Sequence, residues 1–203
     1  MAALERFLHA RPERTPKLLK AAFAHPQFET IHPFLDGNGR VGRLLITLIL
    51  INDGVLREPL LYLSLYFKQH RREYYARLDA IRKKGDWTGW LRFFADAVIE
   101  TARSAVETSH RLTQLFAVDL ERVHAIGRGS GSAAIVHGKL RERPLWTIQR
   151  LASATRLSVP TVTRALEALQ RVKIVREVTG RRRSRVYAYD EYLRVLNEAT
   201  QLT

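Results

Sequence analysis

The segment that most constrains the fold is Leu44 to Ile51, eight residues in which Thr47 is the only polar side chain. At helical spacing such a run is apolar on every side, and a helix of that kind is expected to be a buried central helix. It is far short of the roughly 20 apolar residues needed to cross a bilayer, so no membrane partner is expected. Other helices must surround it, and the flanking sequence supplies them. Thr15 and Pro16 make a helix start, with Thr as cap and Pro at the first helical position. Leu18, Leu19, Ala22 and Phe23 then recur at helical spacing. Pro26 lacks an amide hydrogen, which predicts a bend near His25. The central helix is expected over residues 38–53 with Gly54 as its C-cap. An amphipathic stretch from Tyr62 to Lys84 ends at Gly85. Asp86 can cap the next helix, whose Trp87, Trp90, Phe93 and Phe94 are spaced for core packing. Helical sequence continues to about Ile126, and the fold class expected is mainly α.

Beyond Gly127 the rhythm changes. Gly127 to Ser132 reads as a linker. A short helix is expected from Leu145 to Ala154, a turn over Leu157 to Pro160, and a second helix from Thr161 to Arg171. Ser158 is its cap, and Ala165, Leu166 and Leu169 form its inner face. Val172 to Val178 and Arg185 to Tyr189 are β-rich runs, and Asp190 caps a terminal helix. This order resembles a winged helix-turn-helix. The expected organisation is a helical domain over residues 1–126, a linker over 127–138 and a small winged-helix domain over 139–203.

Charge bears on the partners. The chain carries 34 Lys and Arg against 20 Asp and Glu, a net charge of +14, with 13 basic and 3 acidic side chains between Lys139 and Arg185. Such a local excess favours a polyanion. In a winged helix bound to DNA, Thr161, Thr163, Arg164 and Gln170 face the duplex, and Arg181, Arg182, Arg183 and Arg185 meet phosphates. The same surface serves equally for an intramolecular or homodimer contact, or as a solvated arginine-rich face. There are no cysteines, which excludes a disulfide framework and a thiolate metal site. The first six residues show no signal-peptide pattern, so a cytoplasmic location is expected.

The chemistry is concentrated in His32 to Arg43, directly ahead of the apolar run. Gly37 and Gly39 let backbone amides approach a ligand, and the helix start adds its positive dipole end, which together make an anion site. Arg40 and Arg43 lie three apart on the first turn, and guanidinium forks suit phosphate oxygens. Asp36 beside a polyphosphate is a natural magnesium anchor. His32, held by Pro33, can accept a proton near neutral pH. Gly37 to Gly42 also fits the dinucleotide glycine pattern, but that reading needs a hydrophobic strand in front, and here the preceding residues are helical. A Walker loop ends in Gly-Lys-Ser/Thr, and none is present.

His32 through Arg43 matches the motif H-P-F-x-D-G-N-G-R-x-x-R at every specified position, and the chain resembles the Fic family. The likeness runs from about Leu4 to Phe94 and includes Gln27 to Ile31, Tyr62 to Phe67 and Gly85 to Trp87. The resemblance implies a protein adenylyltransferase that moves AMP from ATP to a Ser, Thr or Tyr hydroxyl of a target protein. Carried over, His32 is the base and Phe34 a core anchor for the loop. Asp36 binds magnesium, Gly37, Asn38 and Gly39 cradle phosphates, Arg40 and Arg43 hold the β/γ end, and Tyr75 lies near the adenine. The same loop is compatible with transfer of UMP or phosphocholine, or with removal of AMP. A DNA-binding regulator with an inert Fic core is an alternative of another class. Many relatives carry an upstream β-hairpin flap and an inhibitory S/T-x-x-x-E-G/N helix. Neither is visible here; Thr163 and Glu167 have the spacing, but Ala168 follows. A truncated start, or a partner chain supplying the inhibitory part, is therefore expected.

Overall fold

The computed structural model describes residues 1–9, 15–58, 61–181 and 184–200. The chain divides into two compact units, Met1–Ala105 and Val106–Gln201. As expected, it is mainly helical. The first unit is built from α1 (Ala2–His9), α2 (Lys17–Ile31), α3 (Asn38–Asn52), α4 (Leu63–Gln69), α5 (Arg71–Lys84) and the first part of α6 (Trp87–His124).

Helix α2 begins one residue later than expected, after Pro16, and without a side-chain cap. It runs through Pro26 without restarting. Proline offers no amide, so the Ala22 carbonyl loses its helical donor. The indole N–H of the fully buried Trp90 donates to that carbonyl at 2.7 Å, and the helix survives its proline because α6 completes the bond. Trp90, Phe93 and Phe94 are all core, with Phe67, Tyr74 and Leu78 from α4 and α5 and Ala21, Ala24 and Phe28 from α2. Asp86 Oδ1 accepts the Gly89 amide at 2.9 Å and starts α6 as its sequence suggests.

The expectation that α3 is buried all round is overturned. Ile46, Ile49 and Leu50 are buried, but Leu44 and Leu48 are 54% and 53% exposed, and Val41 and Ile51 are exposed with them. Spaced three, four and three apart, these four form a stripe along the face opposite the core. The helix packs chiefly on α2, which covers one side only. Its far end is fixed by a buried ion pair from Lys20 to Asp53 at 2.9 Å. Asp53, not Gly54, is the C-cap.

The second unit contains the end of α6, α7 (Ser130–Glu142), β1 (Leu145–Thr147), α8 (Ile148–Thr155), α9 (Val159–Arg171), β2 (Arg176–Glu177), β3 (Val186–Ala188) and α10 (Asp190–Thr200). Three sequence expectations fail here. Most of the supposed linker over 127–138 is α7, whose Ala133, Val136, His137 and Leu140 are buried at helical spacing. The division between units lies inside α6 rather than near Ile126, because Leu115, Phe116 and Val123 belong to the second core. Leu145 to Thr147 is a strand and not the start of a helix. Arg143 is held extended ahead of Pro144, as a residue before proline prefers. The strands form an antiparallel sheet in the order β1-β3-β2, with Trp146 opposite Tyr187 and Arg176 opposite Ala188. Ser158 caps α9 by accepting the Thr161 amide, and Ala165, Leu166 and Leu169 are buried as expected.

Candidate active site

The loop between α2 and α3 is closed by its own side chains. Asn38 Oδ1 accepts the Phe34 amide at 2.9 Å, and Asn38 Nδ2 donates to the Phe34 carbonyl at 2.6 Å. Asn38 is 2% exposed, so its side chain is spent on loop shape, and only its backbone amide is left for an anion. Phe34 is not the core anchor that the resemblance implies. It is 51% exposed, with its ring centroid 6.2 Å from that of Phe28 in the core. Gly37 sits at φ +81°, a left-handed conformation that a side chain would strain, and serves as the N-cap of α3.

His32 is the C-cap of α2, in left-handed geometry with its amide on the Phe28 carbonyl. Its Nδ1 lies 3.4 Å from the Glu29 carbonyl oxygen, which can only accept. The neutral ring therefore keeps its proton on Nδ1 and leaves the Nε2 lone pair for another proton. Arg82 of α5 holds the same turn by donating to the Glu29 carbonyl at 2.9 Å and to Thr30 Oγ1 at 3.3 Å.

The arginines flank the glycines. A methyl group on Gly37 would lie 3.5 Å from Arg40 Nη2, and one on Gly39 would lie 3.2 Å from Arg43 Nη1. Asp36 accepts the Gly37 amide at 2.6 Å and pairs with Arg40 at 3.4 Å, yet its side chain is 94% exposed. Among the described residues no group of three His, Cys, Asp or Glu could hold a metal ion. An ion at Asp36 would need its remaining ligands from water or from the anion in the loop.

Beneath the loop lies a polar network that sequence reasoning missed. His25 Nδ1 is 2.9 Å from the Gly42 carbonyl, and its Nε2 is 2.8 Å from the Tyr74 hydroxyl. Since the carbonyl only accepts, Nδ1 carries the proton and Nε2 accepts from Tyr74. Burial, with Arg43 nearby, lowers the His25 pKa to about 4 against the opposing pull of the Gly42 carbonyl. Burial raises the Tyr74 hydroxyl well above its ordinary value. Glu29 is buried with Oε1 unpaired, and a methyl group at Gly42 would come within 2.6 Å of that oxygen. Burial raises the Glu29 carboxyl above its ordinary value despite Arg43, His32 and Arg82. The one sequence signal was the pair His25 and Glu29, four apart on a helix face otherwise lined by Ala21 and Phe28.

The Fic/DOC family model matches residues 1–50, the segment that contains this loop. Protein adenylyltransferase Fic of Culex quinquefasciatus is 36% identical over 121 residues, spanning 55% of this chain and 23% of its own. The Aedes aegypti protein of the same name is 41% identical over 81 residues, 40% of this chain and 15% of its own. The loop-bearing segment of this chain is similar to Fic proteins. The chain spans about a quarter or less of the length of these curated relatives. A Fic family protein from Desulfovibrio desulfuricans G20, known as a crystal structure, is 28% identical and covers 93% of this chain and 53% of its own, at a TM-score of 0.49.

The remaining candidate residues are on α5 and in the second unit. Tyr75 is 54% exposed on α5, with Arg71 over its ring at 5.7 Å. In the second unit Thr161 Oγ1 bonds Ser158 at 2.8 Å, and Thr163 Oγ1 donates to the Val159 carbonyl at 2.9 Å, so both hydroxyls serve the start of α9. Arg164, Arg181 and Arg185 are exposed, and Gln170 is half-buried. Arg182 and Arg183 lie outside the described residues. Glu177 shapes the turn after β2 by accepting the Thr179 and Gly180 amides at 2.8 and 3.1 Å.

Proposed function

We propose that this chain is the catalytic part of a protein adenylyltransferase. The observation that carries the reading is one turn of chain that joins a histidine with a free Nε2 lone pair, glycine amides at a helix start and two arginines. The names of the curated relatives support it. In this reading the turn Gly37, Asn38 and Gly39 cradles the ATP phosphates through the Asn38 and Gly39 amides, the Gly37 amide being taken by Asp36, and Arg40 and Arg43 hold the β/γ end. Tyr75 lies near the adenine. His32 Nε2 takes the proton of a target Ser, Thr or Tyr hydroxyl. That oxygen bonds to the α-phosphorus while the bond from this phosphorus to the α–β bridging oxygen breaks, and pyrophosphate leaves. Asp36, exposed beside Arg40, fits magnesium, which takes one or two carboxylates and fills its shell with water and phosphate; bound there, it would neutralise charge on the departing phosphates. No described helix is long and apolar enough to cross a membrane, and ATP as substrate fits a cytoplasmic site of action. Phosphoryl transfer depends on positioning and charge, with a base worth about 10²–10⁴ in rate. His32→Ala is therefore expected to abolish labelling of protein by ATP labelled at the α-phosphate while ATP affinity stays nearly intact. A variant that keeps more than about a tenth of wild-type transfer would remove His32 as the base.

We infer further that the second unit is a winged helix-turn-helix and that its basic face meets DNA. Support comes from the order α7-β1-α8-α9-β2-β3 and from the exposed Arg164, Arg181 and Arg185 on α9 and about the hairpin. Binding to a duplex is expected to weaken steeply as salt is added. No shift of any duplex at low salt would end this reading.

A further inference from the structure

We propose that Arg82 of α5 is a positioning residue that fixes which ring nitrogen of His32 is left free to take a proton. The inference rests on the reading of His32 as the base. Its starting point is the proline that follows that histidine. Within a helix the Glu29 carbonyl would accept the amide four residues on, but Pro33 has none to give. The amides on either side of Pro33 are committed elsewhere, His32 to the Phe28 carbonyl at 3.0 Å and Phe34 to Asn38 Oδ1 at 2.9 Å. A helix-terminal carbonyl left in this way is free to accept from side chains. Two meet it: Arg82 Nη2 donates at 2.9 Å, and His32 Nδ1 lies at 3.4 Å. The shorter bond is Arg82's, so the guanidinium sets where the oxygen sits and the imidazole follows it.

Arg82 grips more than the carbonyl. Its Nε donates to Thr30 Oγ1 at 3.3 Å, whose own hydrogen goes to the Pro26 carbonyl at 2.8 Å. One edge of the guanidinium thus spans consecutive residues, a grip that the single nitrogen of lysine does not reproduce. Two residues beyond Thr30, His32 stands at φ 51°, a left-handed geometry that a non-glycine residue keeps only when its surroundings hold it. Which nitrogen of a neutral imidazole carries the proton is decided by the hydrogen bond the ring makes. With the Glu29 oxygen fixed, the proton stays on Nδ1 and Nε2 remains a base. With that oxygen loose, the ring can carry its proton on Nε2 and is then no base there.

The test reads the tautomer directly, by nitrogen NMR of the full chain carrying ring-labelled histidine at about pH 8.5, where an ordinary imidazole is neutral. The His32 signals are those missing from His32→Ala. Wild type should show the proton on Nδ1 alone. Arg82→Met keeps the apolar stem and removes the donors, and its two His32 nitrogen signals should move toward each other as the tautomers mix. Arg82→Lys keeps the charge without the fork and should behave as Arg82→Met, so either variant decides if the other does not fold; Arg82 is exposed, and urea unfolding checks that the fold is kept. Self-labelling by ATP labelled at the α-phosphate should fall about ten-fold in both, as loss of a hydrogen bond from a charged group does, with ATP affinity within about two-fold. An arginine that is merely structural would lower stability and leave the tautomer of the folded protein untouched. An unchanged His32 tautomer in the variants, or wild-type signals in Arg82→Lys, would overturn the proposal. Self-labelling that survives His32→Ala would instead overturn the reading of His32 as the base, whatever the tautomer.

Discussion

Acidification should destabilise the first unit through His25 by a calculable amount. The imidazole ordinarily titrates near 6.5, and burial lowers it to about 4 in the folded chain. A group whose folded pKa is depressed contributes its stability above the unfolded value and loses it as the pH falls toward the folded value. The window here is therefore pH 6.5 down to about 4. Within it the unfolded chain binds a proton that the native state refuses, so stability drops by about 1.4 kcal/mol per pH unit and by about 3 kcal/mol in all. His25→Gln keeps both hydrogen bonds and cannot titrate, which makes it the reference for every other group that protonates in the same range. Trp87 and Trp90 lie in the first unit, so with Trp146 replaced by phenylalanine the fluorescence follows that unit alone. Urea unfolding at pH 7.5, 6.5, 5.5 and 4.5 should show the two proteins diverging by about 3 kcal/mol at the acid end. Parallel curves, within about 1 kcal/mol throughout, would mean that the folded histidine accepts a proton readily and that the assigned tautomer is wrong.

Other expectations concern packing and backbone. Gly42→Ala puts a methyl group 2.6 Å from Glu29 Oε1 and should cost about 1–3 kcal/mol in urea unfolding. Gly138→Ala, with nothing within 4 Å in α7, should instead be neutral or stabilise by up to about 1 kcal/mol. Ile46→Ala, at a fully buried site, should lose about 2–5 kcal/mol, whereas Leu48→Gln on the exposed stripe should stay within about 0.5 kcal/mol. Equal losses at positions 46 and 48 would show that the stripe is covered in solution.

The loop was legible because its chemistry is local. A histidine, an aspartate, two glycines and two arginines within twelve residues constrain one another by spacing alone. Helix caps at Ser158, Asp86 and Gly85 were legible for the same reason. The support beneath the loop was not. His25 and Tyr74 are 49 residues apart, and nothing in either helix says that the two will meet. Read singly, each passes for an ordinary polar residue on an amphipathic helix. The stripe on α3 failed in the opposite sense: hydrophobicity states what a helix would bury and not whether the first unit supplies a partner for each side. The linker reading failed because three glycines outweighed the apolar spacing of Ala133, Val136 and Leu140, and strand β1 because three residues are too few to show alternation.

Pro26 turns a local defect into a fastener. By withholding one amide it leaves α2 unable to complete itself, and the donor that closes the gap is 68 residues further along the chain. The turn that ends in His32 is thereby referenced to the middle of the core, and its stability is borrowed from α6. Trp90→Phe, which keeps an aromatic ring and removes that single N–H, should speed amide exchange from Phe28 to His32 while Lys20 to Ala22 stay protected. Uniform exchange along the whole helix in that variant would show that the last turns of α2 stand without the indole.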